Sequence, residues 1–285
     1  MWQAELTTPG KINLFLKITG KRPDGYHEIE TVFMPLREPA DKIIISEAAK
    51  GSGIQLSSDN PELPLDSGNL CWKAADSFAR RAGLAPDWSI RIEKNIPVAA
   101  GLGGGSSDAG AVLRLLNGKY NALSSDELSQ TALDIGADVP YFLNPTPAIG
   151  KGLGEELEPF DFDAENLPLL IAAPMFPVRA AWAYQNAAIP TLRPESSDKL
   201  LLALKKNDWD RCGQRLYNDL AHALLVKFPL LAMLKESLER TGATGAEISG
   251  SGPTMFAVYK DKAAAEAAQK MLFDEYRETI KIFLP

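Results

Sequence analysis

The chain of 285 residues, 45% hydrophobic and 24% charged, has material for one large or two ordinary globular domains. Its formal net charge of −7 comes without any run of lysines or arginines, which opposes a surface that tracks a phosphate backbone, so nucleic acid is not an expected partner. Cys71 and Cys212 form no CxxC pair and only His27 and His222 are available, so neither a disulfide framework nor a zinc or multi-histidine site is indicated.

The first ten residues, MWQAELTTPG, carry Glu5 and no basic-then-apolar signal, and the apolar stretch 167–178 is short and broken by prolines. Neither export nor a membrane span is expected, and a reducing cytoplasm fits. Pro9-Gly10-Lys11-Ile12-Asn13 sets Lys11 between a turn and an apolar strand. A single lysine there ordinarily has a solvated head, and Asn13 can bond a turn. Arg22-Pro23-Asp24-Gly25 is a turn, since proline fixes φ and glycine accepts the left-handed region. It presents Tyr26 and His27, which read by themselves as strand aromatics packing on a core.

Ser89 to Lys94 alternates Ile90 and Ile92 with Arg91 and Glu93, the period-two pattern of a half-buried strand. Five glycines and two serines follow in IPVAAGLGGGSSDAG, Ile96 to Gly110. Ala109, Val112, Leu113 and Leu116 then recur at helical spacing, with Ser106 or Ser107 as cap and Gly118 as stop. Glycines between a strand and a helix can turn several N–H groups inward beside a positive helix end, a cradle for polyphosphate. A Walker loop is excluded because Gly105 precedes Ser106 and Ser107 with no lysine. The Rossmann registers fail at Ser106 and at Asp108.

Ser124 with Glu127 forms a capping box for a helix to Ile135 that stops at Gly136. In Gly136-Ala137-Asp138-Val139-Pro140, Asp138 reads by itself as the N-cap of the next helical turn, with Pro140 inside it. A domain break is expected near Asn144-Pro145-Thr146-Pro147. Beyond it come a buried strand at Pro168 to Ala173 and helical patterns from about Val178, Ser197 and Asp208. Strands at Ala246 to Ser249 and Met255 to Tyr259, a helix capped by Asp261 and a last strand at Thr279 to Leu284 complete a β-α-β-β-α-β order, the ferredoxin-like split motif. Ser249-Gly250-Ser251-Gly252-Pro253 joins two of these strands and reads as a hairpin turn.

The glycine loop resembles the ATP-binding motif of the GHMP small-molecule kinases, named for galactose, homoserine, mevalonate and phosphomevalonate. PGKINLFL, RPDGYHEIET, GADVPYF, AIGKGLGEEL and ISGSGPTMF resemble the branch of that family that phosphorylates a cytidine-diphosphate-linked methylerythritol, so the likeness covers essentially the whole chain. It implies an α+β, two-domain GHMP kinase fold. Residues 1–158 would be an ATP-binding α/β domain shared with a ribosomal protein, and residues 159–285 a ferredoxin-like substrate-side domain. It implies transfer of the ATP γ-phosphoryl group to a tertiary 2-hydroxyl in the non-mevalonate route to isoprenoids, with Mg²⁺ accompanying ATP and no protein ligand for the ion assigned.

By the same resemblance Lys11 contacts the reacting hydroxyl and transferring phosphate, while Asp138 accepts or orients the hydroxyl proton, its charge kept by the paired ammonium. Pro97, Gly101, Leu102, Gly103, Gly104, Gly105, Ser106 and Ser107 hold ATP, with Asn69 and Lys94 beside the adenosine. Asp108, in the first helical turn, points away from the triphosphate. Asn13 contacts methylerythritol hydroxyls, Tyr26 and His27 grip the cytosine, and Tyr184 closes on it from across. Arg179 and Ala180 stand where serine and threonine are expected, and Trp182 competes with Tyr184 for the aromatic role.

Three rival readings stay open: another kinase of the family acting on homoserine, mevalonate or a sugar; a non-catalytic metabolite-binding protein of the same fold; and an RNA-binding module. The Tyr26-His27 segment, the presence of both Lys11 and Asp138, and the acidic balance argue against them in turn. Monomer and homodimer both stay open.

Overall fold

The computed structural model describes residues 2–187, 194 and 196–285. Two long strands lead, β1 (Gln3–Lys21) and β2 (His27–Glu47). They meet at a turn in which Gly25 has φ 91°, its N–H donates to the Arg22 carbonyl at 3.0 Å, and Asp24 accepts from the Tyr26 amide at 3.1 Å. A side chain at that φ would be strained, which is why glycine follows Asp24.

The chain divides into two compact units, one of residues 1–10, 39–96 and 103–145, the other of residues 11–38, 97–102 and 146–285. β1 and β2 run through both, so compactness does not follow a single cut between residues 158 and 159.

The first unit contains β3 (Ile54–Ser58), α1 (Leu70–Ala82), β4 (Trp88–Glu93), α2 (Gly104–Tyr120) and α3 (Ser125–Ile135). β4 lies antiparallel to β2, with Ile90 opposite Ile45, and parallel to β3. Trp88, Ile90 and Ile92 are buried while Arg91 is exposed, as their alternation predicts. Ile43, Ile45, Ile90 and Ile92 pack with Ala74, Ala75 and Phe78 of α1 and Val112, Leu113 and Leu116 of α2. Each fully buried large apolar side chain contributes about 1.5–3 kcal/mol.

α2 departs from its expected ends. Gly103, φ 71°, takes the N-cap position without a side-chain bond, and the helix runs through Gly118 to a left-handed Asn121. The serines cannot cap because they lie inside the helix, where the Ser107 hydroxyl donates to the Pro9 carbonyl at 2.7 Å and meets the Thr8 hydroxyl at 2.6 Å. At the other end Asn117 bonds both the N–H and the carbonyl of Leu123 at 3.0 Å, carrying the last turn past Gly118. α3 has the expected capping box of Ser124 and Glu127.

In the second unit β5 (Ala148–Lys151) lies antiparallel to β2 and to β6 (Glu156–Pro159). There follow β7 (Leu169–Pro174), α4 (Ala180–Gln185), α5 (Asp198–Lys205), α6 (Trp209–Gly213), β8 (Tyr217–Asn218), α7 (Ala221–Lys227), α8 (Pro229–Arg240), β9 (Gly245–Ile248), β10 (Met255–Val258), α9 (Lys262–Tyr276) and β11 (Ile280–Phe283). β8 extends the first sheet beside β1. β11, β7, β10 and β9 form an antiparallel sheet in that order, the expected ferredoxin-like arrangement. Every residue of β7 and β10 is buried, so these strands read as continuous apolar runs without alternation. Leu170, Ala172, Met255 and Ala257 pack with Leu234 and Leu238 of α8 and Ala265 and Leu272 of α9, and Asp261 caps α9 through the Ala264 amide. Among the described residues no helix is long and apolar enough to cross a membrane.

Candidate active site

In the second unit β1 presents Lys11 and Asn13 two residues apart, hence on one face of the strand. Lys11 is 4% exposed and Asn13 2%, so the solvated-head reading of the lysine gives way to a buried one. Pro9 and Gly10 lie within β1 and make no turn before it. The Lys11 ammonium donates to Asn13 Oδ1 at 2.6 Å and stands 5.3 Å from the Phe33 ring centroid, a cation–π distance. Asn13 Nδ2 donates to the Thr31 hydroxyl at 2.7 Å, and that hydroxyl donates to the Phe15 carbonyl at 2.7 Å. With its proton spent on Phe15, the Thr31 oxygen accepts, which fixes the Asn13 amide so that its oxygen faces Lys11.

The Lys11 backbone amide donates to the Leu102 carbonyl at 2.9 Å, tying the lysine's strand to the glycine loop. Ser249 Oγ donates to the Gly101 carbonyl at 2.9 Å and accepts from the Asn13 backbone N–H at 3.4 Å. Gly101 has φ 79°, and a Cβ there would fall 2.2 Å from the Ser249 carbonyl oxygen. A Cβ on Gly250, φ 53°, would lie 3.0 Å from Asn13 Oδ1 and 3.4 Å from the Lys11 ammonium. The connection from β9 to β10 is therefore more than a hairpin turn: its glycine lets the backbone close on Lys11. Asn218 Nδ2 holds it by donating to the carbonyls of Ile248 and Gly250, each at 2.8 Å. Thr31, Asn218, Ser249 and Gly250 are not among the residues expected at the site, although ISGSGPTMF, which contains two of them, carries part of the resemblance.

Tyr26 is 63% exposed at the start of β2. The next ring, His27, lies parallel to Tyr184 with centroids 5.6 Å apart and an interplanar angle of 20°. Burial, and then the charge of Lys21, hold the imidazole below its ordinary value. The imidazole is thus chiefly neutral at neutral pH, and stacking needs no charge. Trp182 turns away and meets Phe228 edge-on at 5.6 Å, at the margin of the core. Arg179 takes the N-cap position of α4 without a side-chain cap bond.

In the first unit Gly103, Gly104, Gly105, Ser106 and Ser107 open α2. The Ser107 amide makes the first helical bond, to Gly103, so the amides of Gly104, Gly105 and Ser106 are first-turn donors without intrahelical acceptors. Gly105 is exposed and Ser106 half-buried, whereas Ser107 is buried and its hydroxyl is spent on Thr8 and Pro9. These donors suit an anion. Asn69 caps α1, accepting from the Cys71 amide at 2.9 Å and donating to the Pro64 carbonyl at 2.8 Å. Lys94 is buried and paired with both Asp41 and Asp108. Because α2 begins at Gly104, Asp108 falls in the second helical turn, and its carboxylate turns inward to Lys94.

Asp138 is half-buried between α3 and a 3-10 turn at Pro140–Leu143. The N-cap of that turn is Val139, whose amide bonds the Gly136 carbonyl at 3.0 Å, so Asp138 is not the cap its neighbours suggested. Burial and then the charge of Asp138 push the Tyr141 hydroxyl above its ordinary value. Among the described residues no three His, Cys, Asp or Glu side chains gather as a metal cage.

The family profile of the GHMP kinases N terminal domain matches residues 69–144, and that of the GHMP kinases C terminal matches residues 200–278. A 4-diphosphocytidyl-2-C-methyl-D-erythritol kinase of Syntrophotalea carbinolica is 39% identical over 93% of this chain and 92% of its own, and one of Solidesulfovibrio magneticus is 37% identical over 94% and 92%. A crystal structure of 4-(cytidine 5'-diphospho)-2C-methyl-D-erythritol kinase aligns with a TM-score of 0.81 and 30% identity, covering 98% of this chain and 97% of that one. A homoserine kinase from Cytophaga hutchinsonii aligns at 0.77 with 19% identity, over 99% and 93%, and so shares the fold.

Proposed function

Since this chain belongs to the 4-diphosphocytidyl-2-C-methyl-D-erythritol kinase family of the GHMP kinases, we infer that it transfers the γ-phosphoryl group of ATP to the 2-hydroxyl of 4-diphosphocytidyl-2-C-methyl-D-erythritol, with Lys11 and Asp138 at the reacting oxygen. Phosphoryl transfer needs in-line positioning and stabilisation of charge on the moving group. The buried Lys11, aimed by Asn13 and bonded through its amide to the glycine loop, is the observation that carries this reading. Its ammonium stabilises the transferring group, and the Asp138 carboxylate accepts or orients the hydroxyl proton.

Gly101 to Ser106 and the first-turn amides of α2 take the triphosphate, with Ser106 the serine whose hydroxyl is left for it. Pro97 and Leu102 shape the loop, and Asn69 flanks the adenosine from its cap position. Asn13 spends its amide chiefly on Lys11 and keeps its second N–H for an acceptor hydroxyl. His27 and Tyr184, with the exposed Tyr26, hold the cytosine. Mg²⁺ bound with the nucleotide would neutralise phosphate charge, and among the described residues no carboxylate cage is gathered for it. The two unpaired, buried cysteines fit a reducing cytoplasm.

The test is a phosphoryl-transfer assay with ATP and a panel of cytidyl-methylerythritol, mevalonate and homoserine. Turnover is expected on the cytidyl polyol alone, and equal or better activity on either of the others would overturn the reading. The stacked His27 and Tyr184 favour a base-bearing acceptor over these smaller ones.

A further inference from the structure

Asp41, Lys94 and Asp108 form a buried ion cluster; the family resemblance sets Lys94 beside the adenosine, but its ammonium is spent on the two carboxylates, which the reaction leaves without a part. Asp41 comes from β2, Lys94 follows β4, and Asp108 lies on α2; none of these side chains is more than 4% exposed. The cluster sits against the start of α2, since a Cβ on Gly104 would fall 2.9 Å from the Lys94 ammonium. Lys94 and Asp108 also bracket the glycine loop in the chain, so the 2.7 Å bond between them closes it at its base.

The two carboxylates are served unequally. Asp41 Oδ2 accepts from Lys94, and its Oδ1 accepts from the amides of Asn95 at 2.6 Å and Ile96 at 2.8 Å. Asp108 Oδ2 accepts from Lys94, and its Oδ1 has no hydrogen-bond partner. One ammonium thus faces two buried carboxylates, and the spare donors all go to Asp41. A proton on Asp108 leaves the cluster neutral, whereas ionised Asp108 leaves a net negative charge behind the helix end that receives the triphosphate. Beside the cluster stand also the Cys71 thiol of α1, which burial and then Asp108 keep protonated, and the exposed Asp59 carboxylate, which accepts from the Lys94 backbone amide at 2.9 Å. Burial drives the Asp108 carboxyl up to about 7, against the pull of Lys94 and with the repulsion of Asp41, so the proton is exchangeable near neutral pH.

We propose that Asp108 is a positioning residue that carries a proton when the loop holds a nucleotide triphosphate, so that nucleotide binding and protonation of this buried carboxyl are linked. The inference rests on the loop being the ATP site. By reciprocity, a bound polyanion favours the protonated carboxyl as much as that proton favours the polyanion. Affinity should fall as pH rises from 6 to 8, by roughly tenfold for each unit by which the nucleotide shifts the carboxyl.

The test is calorimetry of a non-hydrolysable ATP analogue with Mg²⁺ in two buffers of different ionisation enthalpy, on the whole chain and on Asp108→Asn. The amide mimics the protonated carboxyl, so the variant should bind at pH 8 as the unaltered protein does at pH 6. The unaltered protein should take up more protons than the variant, the analogue's own protonation being common to both. Equal uptake and parallel pH profiles would overturn the linkage while leaving the ATP site intact, and absence of binding by the unaltered protein would overturn both. Infrared difference spectra of the unaltered protein need no variant. Nucleotide added at pH 7.5 should raise a protonated-carboxyl band, and an unchanged spectrum would overturn the proposal.

Discussion

The ammonium of Lys11 lies 2.6 Å from the side-chain oxygen of Asn13, its neighbour two residues along the same strand. Thr31 fixes the amide and Phe33 flanks the ammonium, so the lysine is aimed before any substrate arrives. Lys11→Ala and Asp138→Asn are therefore expected to lower kcat by roughly 10²- to 10⁴-fold, with ATP affinity changed much less. Steady-state kinetics beside calorimetry checks this, and near-normal turnover of Asp138→Asn would remove that carboxylate from the reacting oxygen.

Two glycines of one loop should fail differently. Gly101 has a left-handed φ and a Cβ position 2.2 Å from a backbone oxygen, so Gly101→Ala should cost about 2–4 kcal/mol of stability in urea unfolding. Gly105 is exposed, and its Cβ would meet only Leu70 at an ordinary 3.6 Å, so Gly105→Ala should fold with unchanged stability yet bind ATP more weakly. A Gly105→Ala protein with full ATP affinity would show that this glycine does not face phosphate.

Tyr184→Ala should cost about 1–3 kcal/mol of cytidyl-substrate binding, the worth of one base stack, and Tyr184→Phe should restore most of it. Trp182→Ala should instead lower stability by about 1–3 kcal/mol, because Trp182 packs on Phe228 at the core margin. Calorimetric titration and thermal unfolding separate the two. Normal substrate binding by Tyr184→Ala with loss in Trp182→Ala would reverse the assignment.

The Asp108 carboxyl also sets a pH dependence of stability. Its value is raised in the folded protein, from 3.8 to about 7, so the folded state holds more protons than the unfolded chain between those limits. The resulting stabilisation is complete below the lower limit and is lost as pH rises through the upper one. Relative to Asp108→Asn, the unaltered protein should lose up to about 1.4 kcal/mol per pH unit between pH 5 and 7. Urea unfolding at several pH values measures the slope, and parallel curves would show that Asp108 ionises normally.

What was legible in the sequence was mostly local. The capping box of Ser124 and Glu127, the Asp261 cap and the alternation of Ile90 and Ile92 each depend on neighbours within a few residues, and each is present. Gly118 misled because the helix end is decided by Asn117 reaching forward to Leu123, a bond that composition does not announce. The burial of Lys11 was not legible either, since Thr31, Phe33 and Gly250 make it, and the last lies more than two hundred positions away. Lys94 reads, by resemblance, as a lysine beside the adenosine until the fold brings Asp41 and Asp108 to its ammonium. For charged residues the decisive information was which distant side chains share their enclosure.

The strands that run through both compact units carry a consequence for inheritance. Leu16, Ile18 and Ile29, on the two long strands, belong to the same core cluster as Leu170, Met255 and Leu272. A segment encoding residues 159–285 would transplant the four-stranded sheet without three of the side chains that seal it. Recombination between relatives has no clean seam to cut along, so new acceptor specificities on this architecture are expected to arise by substitution in place and not by exchange of halves.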